Sequence, residues 1–308
     1  MEASITFKSI AKSFNGNHLL ADLSFGVEKG TTFALIGENG SGKSVILKLL
    51  VGILEKDAGS AYINGKDVFT RGVECRSFTG YMGQVIDIDD SMTIKENLVV
   101  FARLHGMNPK EAVEQVEHWS DVLGFTHLLN CMPKSLSYGD KRKIMFARAI
   151  IHKPQIIILD EPTKGLDPHS SKKIWDVLEK LHADKTILFT TQNFEEAERF
   201  ANRIAILHNG NIKMNGTLDR LIETTQGLTR YRLSFANTPP EKFLSDLIDF
   251  PKIIKPEISG LDLEFYSRER KYFFYVLKKA LEHELSDMDT SICRLRDLFI
   301  GLTDGGLE

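Results

Sequence analysis

The chain has 308 residues, of which 42% are hydrophobic, so it is long enough for two domains with ordinary apolar cores and is neither disordered nor a small stapled scaffold. Its 39 lysines and arginines stand against 42 aspartates and glutamates, and a net charge of −3 gives no general electrostatic case for nucleic-acid binding. The three cysteines, Cys75, Cys131 and Cys293, lack metal-ligand spacing, and their odd number suits a reducing compartment rather than a disulfide framework.

From residue 1 to about 228, short apolar runs alternate with helical patterns. This alternation predicts an α/β fold with a largely parallel sheet, helices on its faces and antiparallel strands at the N-terminal edge. The first ten residues predict a strand and not a secretory signal, and no apolar run approaches the roughly 20 residues that a membrane-spanning helix needs. The segments typical of strands are "ASITFKSI", "TTFALIG", "QIIILD", "KTILFTT" and "NRIAILHNG".

Between about 88 and 150 the strand patterns stop, and the sequence predicts a helical subdomain inserted into the α/β core. The three segments with helical periodicity are "TIKENLVVFARLHGM", "PKEAVEQVEHWSDVLGF" and "GDKRKIMFARAII".

After "TTQGLT" the character of the chain changes again, and residues 229–308 predict a small α+β domain. Its charges are nearly balanced, which argues against an RNA-binding appendage. The strand-like segments are "RYRLSF", "KIIKPEI", "LDLEFYS" and "DTSICR", and the helix-like segments are "PPEKFLSDLIDF", "KYFFYVLKKALEHEL" and "LRDLFIGL".

A phosphate-binding loop is predicted at "GENGSGKS", Gly37 to Ser44, which matches G-x-x-x-x-G-K-[ST] between a strand-like and a helical segment. The glycines let the backbone N–H groups curl around phosphate oxygens, and the helix N-terminus adds partial positive charge. We expect Lys43 to bind the β- and γ-phosphates and Ser44 to bind Mg²⁺. The predicted nucleotide-binding residues of the loop are Gly37, Asn39, Gly40, Ser41, Gly42, Lys43 and Ser44.

An acidic pair ends the buried strand "IIILDEP". Asp160 could hold Mg²⁺ through water, and Glu161 could polarise an attacking water molecule. These two elements predict nucleoside triphosphate binding, with hydrolysis, and leave GTPases, kinases and motor proteins as alternatives.

The stretch "LSYGDKRKIMFARAIIHKPQIIILDEPTKGLDP", Leu136 to Pro168, resembles ATP-binding cassette (ABC) ATPases, in which a signature helix of LSGGQ type precedes the acidic strand and a D-loop. The resemblance covers residues 1 to about 228, and the order and spacing of the motifs make it specific. The further motifs in register are Phe14 before the phosphate loop, Gln84 in "YMGQ", the D-loop from Gly165 to Asp167, and the switch region "ILFTTQNFEEAE".

In that family the signature of one cassette closes over the ATP that a second cassette holds. The resemblance therefore implies a head-to-tail pair, either a homodimer or a pair with a paralogue. Ser137 would begin the signature helix, Gly139 would keep the backbone accessible, and the helix N-terminus would face a γ-phosphate. The resemblance also implies that Phe14 stacks on adenine, that Gln84 contacts Mg²⁺ or water, and that Asp167 lies near nucleotide.

The signature departs from the family pattern, because Tyr138 and Asp140 replace a glycine and a glutamine. Asp140 lies three residues after Ser137, so it could be the acidic partner of a capping box or could contact nucleotide. Tyr138 adds bulk near the phosphates of a partner cassette.

The switch region also departs from the family, which usually has a histidine where this chain has Gln192. Glutamine can donate to a phosphate oxygen and accept from water, but it carries no positive charge. We therefore expect intact ATP binding and slow hydrolysis, with Glu161, Gln192 and Gln84 as the catalytic residues; full inactivity is the alternative.

The segments "DIDDSMTIKENLVVFARLHGM" and "ICRLRDLFIGLTDGG" resemble the ATPase subunits of type-2 exporters. This likeness implies an integral-membrane permease on a separate chain, docked beside residues 88–115 and Gln84, and a location on the inner face of the cell membrane. A nucleotide-gated regulatory subunit is the competing interpretation. Soluble cassettes of DNA repair or translation are disfavoured because there is one cassette, no long coiled coil and no basic stretch, so no nucleic-acid partner is expected.

Overall fold

The computed structural model describes residues 3–223, 229–239, 241–248, 250, 252–292 and 294–303. It divides into two compact units, Met1–Asn215 and Gly216–Glu308. The domain boundary predicted near residue 228 lies further along the chain than this division and stays a prediction.

The first unit has three parts, a six-stranded sheet, a four-stranded sheet and a group of helices. Its strands are β1 (Ala3–Phe14), β2 (Asn17–Glu28), β3 (Thr32–Ile36), β4 (Ala58–Ile63), β5 (Lys66–Asp67), β6 (Thr79–Met82), β7 (Ile156–Asp160), β8 (Thr186–Thr191), β9 (Arg203–His208) and β10 (Asn211–Gly216). Its α-helices are α1 (Lys43–Leu50), α2 (Gly72–Ser77), α3 (Ile94–Leu104), α4 (Pro109–Leu123), α5 (Tyr138–Ile150), α6 (Pro168–Leu181) and α7 (Phe194–Phe200).

The six-stranded sheet has the order β10-β9-β3-β8-β7-β6, with parallel pairing from β9 through β6. All residues of β3, β7 and β8 are buried, which explains why these strands read as unbroken apolar runs. Because parallel strands end at the same edge, the segments after β3, β6, β7 and β8 meet there, where ligands bind in such sheets.

The antiparallel sheet has the order β2-β1-β4-β5. The predicted N-terminal strand is longer than expected, because β1 continues to Phe14 and pairs with both β2 and β4. The register shifts several times along β1, yet the strand keeps the same two neighbours, and Ile5, Phe7 and Ile10 stay in the core. This sheet places Phe14 at a strand end.

Helices alone occupy the chain between β6 and β7, as the sequence predicts. Thr93 begins α3 through a reciprocal capping box with Glu96, and Asn108 accepts from the Glu111 N–H before Pro109 opens α4. Residues at four-residue spacing on α3 are buried, so its apolar face packs inward.

Two histidines meet where α3 and α5 end. The rings of His105 and His152 stack with centroids 3.9 Å apart, the Phe101 ring lies beside both, and His152 Nε2 lies 3.1 Å from the Thr79 carbonyl oxygen. Burial, assisted by the nearby His105, lowers the pKa of His152 to about 4, and burial also lowers the pKa of His105. Both rings are therefore neutral at pH 7.

The free energy of unfolding is expected to decrease as the pH falls from about 6.5 to about 4, because the unfolded chain then binds a proton at His152 that the folded chain does not. Replacing His152 with glutamine removes this titration, so the variant should lose less stability than the wild type between pH 7 and pH 5. Urea unfolding at both pH values measures the two losses, and equal losses would contradict the expectation.

The second unit is the small α+β domain that the sequence predicts. Its antiparallel sheet has the order β12-β13-β11-β14, and aromatic rings such as Tyr231, Phe265 and Phe273 form its core. Its elements are α8 (Leu218–Glu223), β11 (Thr229–Phe235), α9 (Glu241–Ile248), β12 (Ile254–Ser259), β13 (Asp262–Ser267), α10 (Arg270–Ala280), β14 (Leu285–Ile292) and α11 (Leu295–Thr303).

The helix predicted over "KYFFYVLKKALEHEL" was too long. The α-helix ends at Ala280, a 3₁₀ turn covers Leu281–His283, and Glu284 adopts a left-handed conformation with φ 55°. This conformation reverses the chain, and β14 begins at the next residue. Residues 289–292 of the predicted strand "DTSICR" are thus the end of a longer strand, whereas Cys293 lies outside the described residues.

The structure also bears on the cysteines and on possible membrane-spanning helices. Cys75 and Cys131 have free thiols, and burial raises the pKa of Cys75, whereas Cys293 lies outside the described residues. None of the helices in the described part of the chain combines the length and apolarity that crossing a membrane requires.

Candidate functional site

The loop between β3 and α1 has a backbone that side chains would disturb. A Cβ on Gly37 would lie 2.4 Å from the Leu207 carbonyl oxygen, while Gly40 and Gly42 have φ values of 81° and 106°. Gly42 directly precedes α1, so a curled loop leads straight into a helix N-terminus. This is the geometry that binds phosphate groups.

Lys43 lies under this loop and is 5% exposed. Its ammonium donates to the carbonyl oxygens of Gly37 (2.7 Å) and Glu38 (2.8 Å). Burial lowers the pKa of Lys43, and the nearby Glu161 and Asp160 carboxylates oppose that shift. Since an ammonium has three N–H donors, one remains for a phosphate oxygen.

Asp160, Gln84 and Ser44 come together at the end of β7. The Gln84 amide donates to Ser44 Oγ (3.1 Å) and to Asp160 Oδ1 (3.4 Å), and Thr190 Oγ1 also donates to Asp160 Oδ1 (2.7 Å). Asp160 is completely buried, yet its Oδ2 has no hydrogen-bond partner; the same holds for the buried Oγ of Ser41 in the loop. Unpaired buried oxygens of this kind are satisfied by a ligand or a cation.

The chemistry of these side chains suits Mg²⁺. A hydroxyl and a carboxylate are hard oxygen donors of the kind that Mg²⁺ prefers, and the unpaired Oδ2 of Asp160 is an available ligand atom. The Gln84 amide directs its Nε2 at Ser44 and Asp160, so its oxygen would contact a cation after the amide group turns over. Ser44, Gln84 and Asp160 are the residues that would hold a cation here.

Glu161 follows Asp160 in a strained conformation with φ 47° and is 5% exposed. Its N–H donates to the carbonyl (3.2 Å) and hydroxyl (3.0 Å) oxygens of Thr190. Its carboxylate accepts from Gln192 Nε2 at Oε1 (2.6 Å) and from Lys164 Nζ at Oε2 (2.5 Å). Both carboxylate oxygens are therefore fixed in direction.

Gln192 bridges the acidic residue and the phosphate loop. Its Nε2 donates to Glu161 Oε1 and also to Asn39 Oδ1 (2.7 Å), so both N–H groups of the amide are used. Hydrogen bonds thus connect the site without a break; the chain runs through Ser44, Gln84, Asp160, Thr190, Glu161, Gln192 and Asn39.

The signature segment lies at the surface. Ser137 is exposed and caps α5 by accepting from the Asp140 N–H (3.1 Å), while the Ser137 hydroxyl donates to the Asp140 carboxylate (2.7 Å). Although burial acts to raise the pKa of Asp140, hydrogen bonds from Lys143 and Ser137 lower it. Asp140 therefore acts as a local partner of Ser137, one of the two roles left open by the sequence.

The rest of the signature packs against the D-loop. Gly139 is partly exposed, and a Cβ there would lie 3.6 Å from Leu166. The Tyr138 ring is 48% exposed and covers Gly165, where a Cβ would lie 2.8 Å from a ring carbon. Ser137 and Gly139 can therefore face a neighbouring molecule.

Phe14 and Asp167, two further predicted nucleotide contacts, also lie outside the hydrogen-bond chain. Phe14 is 43% exposed at the end of β1, with Lys12 Nζ 5.4 Å from its ring centroid. Asp167 caps α6 by accepting from the N–H groups of His169 and Ser170, both at 3.0 Å, and hydrogen bonds from Ser170 lower its pKa. The nucleotide roles of both residues stay predictions.

Sequence reasoning missed two residues that hold the site. Glu196 accepts from Thr163 (2.5 Å), Thr191 (2.8 Å) and Trp175 (3.4 Å), so it ties the switch region to α6. Arg142 is 1% exposed and donates to backbone carbonyls behind the site. Its position on the apolar face of α5, three and four residues before the buried Met145 and Phe146, was the available signal.

Comparison with known proteins agrees with this geometry. A family model described as "ABC transporter" matches residues 20–164. A protein of Rhizobium sp. (strain N33), named Nod factor export ATP-binding protein I, is 34% identical over 308 residues, which are 100% of this chain and 99% of that protein. The protein of the same name from Burkholderia thailandensis is 35% identical over 265 residues, 86% of each chain.

Solved structures of ATP-binding cassettes share the fold of this chain. The ATP-binding subunit of an ABC transporter superposes with a TM-score of 0.68 and 29% identity, over 71% of this chain and 92% of that chain. A dimeric ATP-binding cassette in a post-hydrolysis state, bound to ADP and Pi, has a TM-score of 0.65 over 70% of this chain and 98% of that chain, and at 23% identity it shares the fold.

The predicted fold class is confirmed, with an ABC-type P-loop core, an antiparallel β subdomain, a helical subdomain and a C-terminal α+β domain. The match along the whole length of a relative, the family model and the phosphate loop agree with one another. The chain therefore belongs to the ABC transporter family and is an ATP-binding ATPase subunit of a transporter.

Proposed function

We propose that this subunit binds ATP with Mg²⁺ at the hydrogen-bond chain and hydrolyses it with Glu161 as the general base. The unbroken chain from Ser44 to Asn39 supports the proposal, because it joins the cation ligands, the acid and the phosphate loop in one unit. In this reaction Glu161 accepts a proton from the attacking water, and the bond to the γ-phosphate breaks to leave ADP and phosphate.

Lys43 and the N–H groups of the loop would bind the phosphates, and Ser44, Gln84 and Asp160 would hold Mg²⁺. The cation neutralises charge on the phosphate oxygens when it is bound. Phe14 would stack on adenine, which its exposed ring at a strand end permits.

We also propose that a second copy of the cassette completes the site with Ser137 and Gly139. Both residues are accessible at the start of α5, where unpaired N–H groups attract anions. Closing two cassettes over ATP and separating them after hydrolysis would supply the motion that drives a permease.

The partner we infer is an integral-membrane permease on another chain, so that this subunit is peripheral on the inner face of the cell membrane. Relatives named for Nod factor export support an exporter. To test this, a tagged chain is purified from detergent-solubilised membranes, and the integral-membrane protein that accompanies it is identified. Recovery of the chain without any such protein would contradict the proposal.

A regulatory subunit with little turnover is the second candidate. It is favoured by one observation, that Lys164 and Gln192 already donate to both oxygens of the Glu161 carboxylate, so these contacts compete with an attacking water for the same oxygens. The neutral Gln192 also brings no positive charge to the phosphates.

Replacing Gln192 with histidine is expected to raise the steady-state rate of ATP hydrolysis by more than about twofold, because an imidazolium can stabilise developing charge that an amide cannot. The control is Gln155→His at the exposed start of β7, which should leave the rate unchanged. A smaller change in the Gln192 variant would show that this position does not limit turnover.

A further inference from the structure

Arg142 is a buried cation whose described hydrogen bonds all go to backbone carbonyl groups. Nη1 donates to Gly83 (2.8 Å) and Gln84 (3.3 Å), and Nη2 donates to Asp160 (3.3 Å) and Glu161 (2.5 Å). The guanidinium therefore joins two segments, the turn after β6 and the turn after β7. It reaches them from α5, the helix that begins at the signature serine.

Filling space does not explain this choice of side chain. Taking a guanidinium out of water is costly, and an apolar residue of similar volume in such a place is often neutral or stabilising. Arg142 is 1% exposed, and its Nε has no hydrogen-bond partner, so the cost is only partly offset. The four carbonyl contacts must provide something that a methionine would not.

The strained backbone of Glu161 indicates what they provide. A glutamate rarely adopts φ 47°, and such a conformation persists only where its surroundings hold it. Thr190 holds the N–H side of Glu161, and Arg142 holds the carbonyl side. The same guanidinium holds the carbonyl of Gln84, whose side chain contacts Ser44 and Asp160.

We propose that Arg142 is a positioning residue for ATP hydrolysis, which fixes the backbones of Glu161 and Gln84 so that their side chains stay directed at the phosphate site. The proposal rests on the catalytic roles proposed above for these two residues. It assigns Arg142 no contact with ATP, so binding and turnover respond differently to its loss.

Two substitutions separate positioning from packing. Arg142→Met keeps the length and apolar stem, and we expect kcat to fall by about tenfold to a hundredfold while the Kd for ATP, measured without Mg²⁺, changes by less than about twofold. Arg142→Lys keeps the charge but lacks the planar guanidinium that contacts both backbone segments at once, so it should give an intermediate kcat. Backbone amides in the segments 83–86 and 161–164 should exchange hydrogen faster in both variants.

The matched control is Arg148→Lys, which also removes a guanidinium from α5. Arg148 hydrogen-bonds to the carbonyl oxygen and carboxylate of Asp87 rather than to Glu161 or Gln84. This control should keep the wild-type kcat and the wild-type exchange in 161–164. Wild-type kcat and exchange in folded Arg142→Met would overturn the proposal. If that variant does not fold, wild-type kcat in Arg142→Lys overturns it.

Measuring kcat of Glu161→Gln in parallel distinguishes the proposed role of Glu161 from that of Arg142. If Glu161→Gln turns over normally, the proposed role of Glu161 has failed. If Glu161→Gln is inactive but the Arg142 variants match the wild type, the role of Arg142 alone has failed.

Discussion

The substitution Glu161→Gln is expected to lower the steady-state rate of ATP hydrolysis by at least about a hundredfold, because the amide cannot accept a proton from water. ATP binding should persist, since Lys43 and the loop that hold the phosphates are unchanged. Phosphate release and equilibrium ATP binding measure the two effects. The control is Glu55→Gln, at an exposed position outside the site, which should hydrolyse ATP at the wild-type rate.

The same variant separates the two candidate functions. If hydrolysis resets the cassettes, the ATP-bound dimer of Glu161→Gln should outlast that of the wild type, which returns to monomer as ATP is consumed. Dimers of equal lifetime would favour the regulatory subunit, in which binding alone is the signal.

The substitution Lys43→Met is expected to weaken ATP binding by at least about tenfold, because it removes a charge-assisted hydrogen bond to phosphate. The free protein should stay folded, since burial already disfavours the charged amine, as the lowered pKa of Lys43 shows. Fluorescent-nucleotide titration measures the affinity, and urea unfolding without nucleotide measures the stability. Lys48→Met, five residues further along α1, is the control and should bind ATP like the wild type. Equal affinities would contradict the role of Lys43.

The central sheet was predictable because both of its faces are covered. Fully buried strands such as β7 and β8 appear in the sequence as unbroken apolar runs, which turns then end. The strands β2, β4 and β5 were not predicted one by one, because they mix buried and exposed positions and the pairing of β1 with both β2 and β4 depends on distant residues.

The candidate site was predictable where local chain geometry produces the chemistry. The phosphate loop needs glycines at fixed spacing, and a sequence motif records that spacing. Arg142 and Glu196 were missed because their partners lie far away in sequence; Arg142 contacts a residue 59 positions earlier and Glu196 contacts one 33 positions earlier. The same limit concealed the left-handed Glu284 that ends the aromatic helix early.

The most direct test of the account asks whether ATP is held between two copies through the exposed signature. Sedimentation with ATP is compared for Glu161→Gln and for Glu161→Gln combined with Ser137→Arg, after both are shown to bind ATP as monomers with equal affinity. The account predicts a dimer for the first protein and a monomer for the second, because arginine blocks the helix tip that would face the partner's phosphates. An equally stable ATP-dependent dimer in both proteins would contradict it.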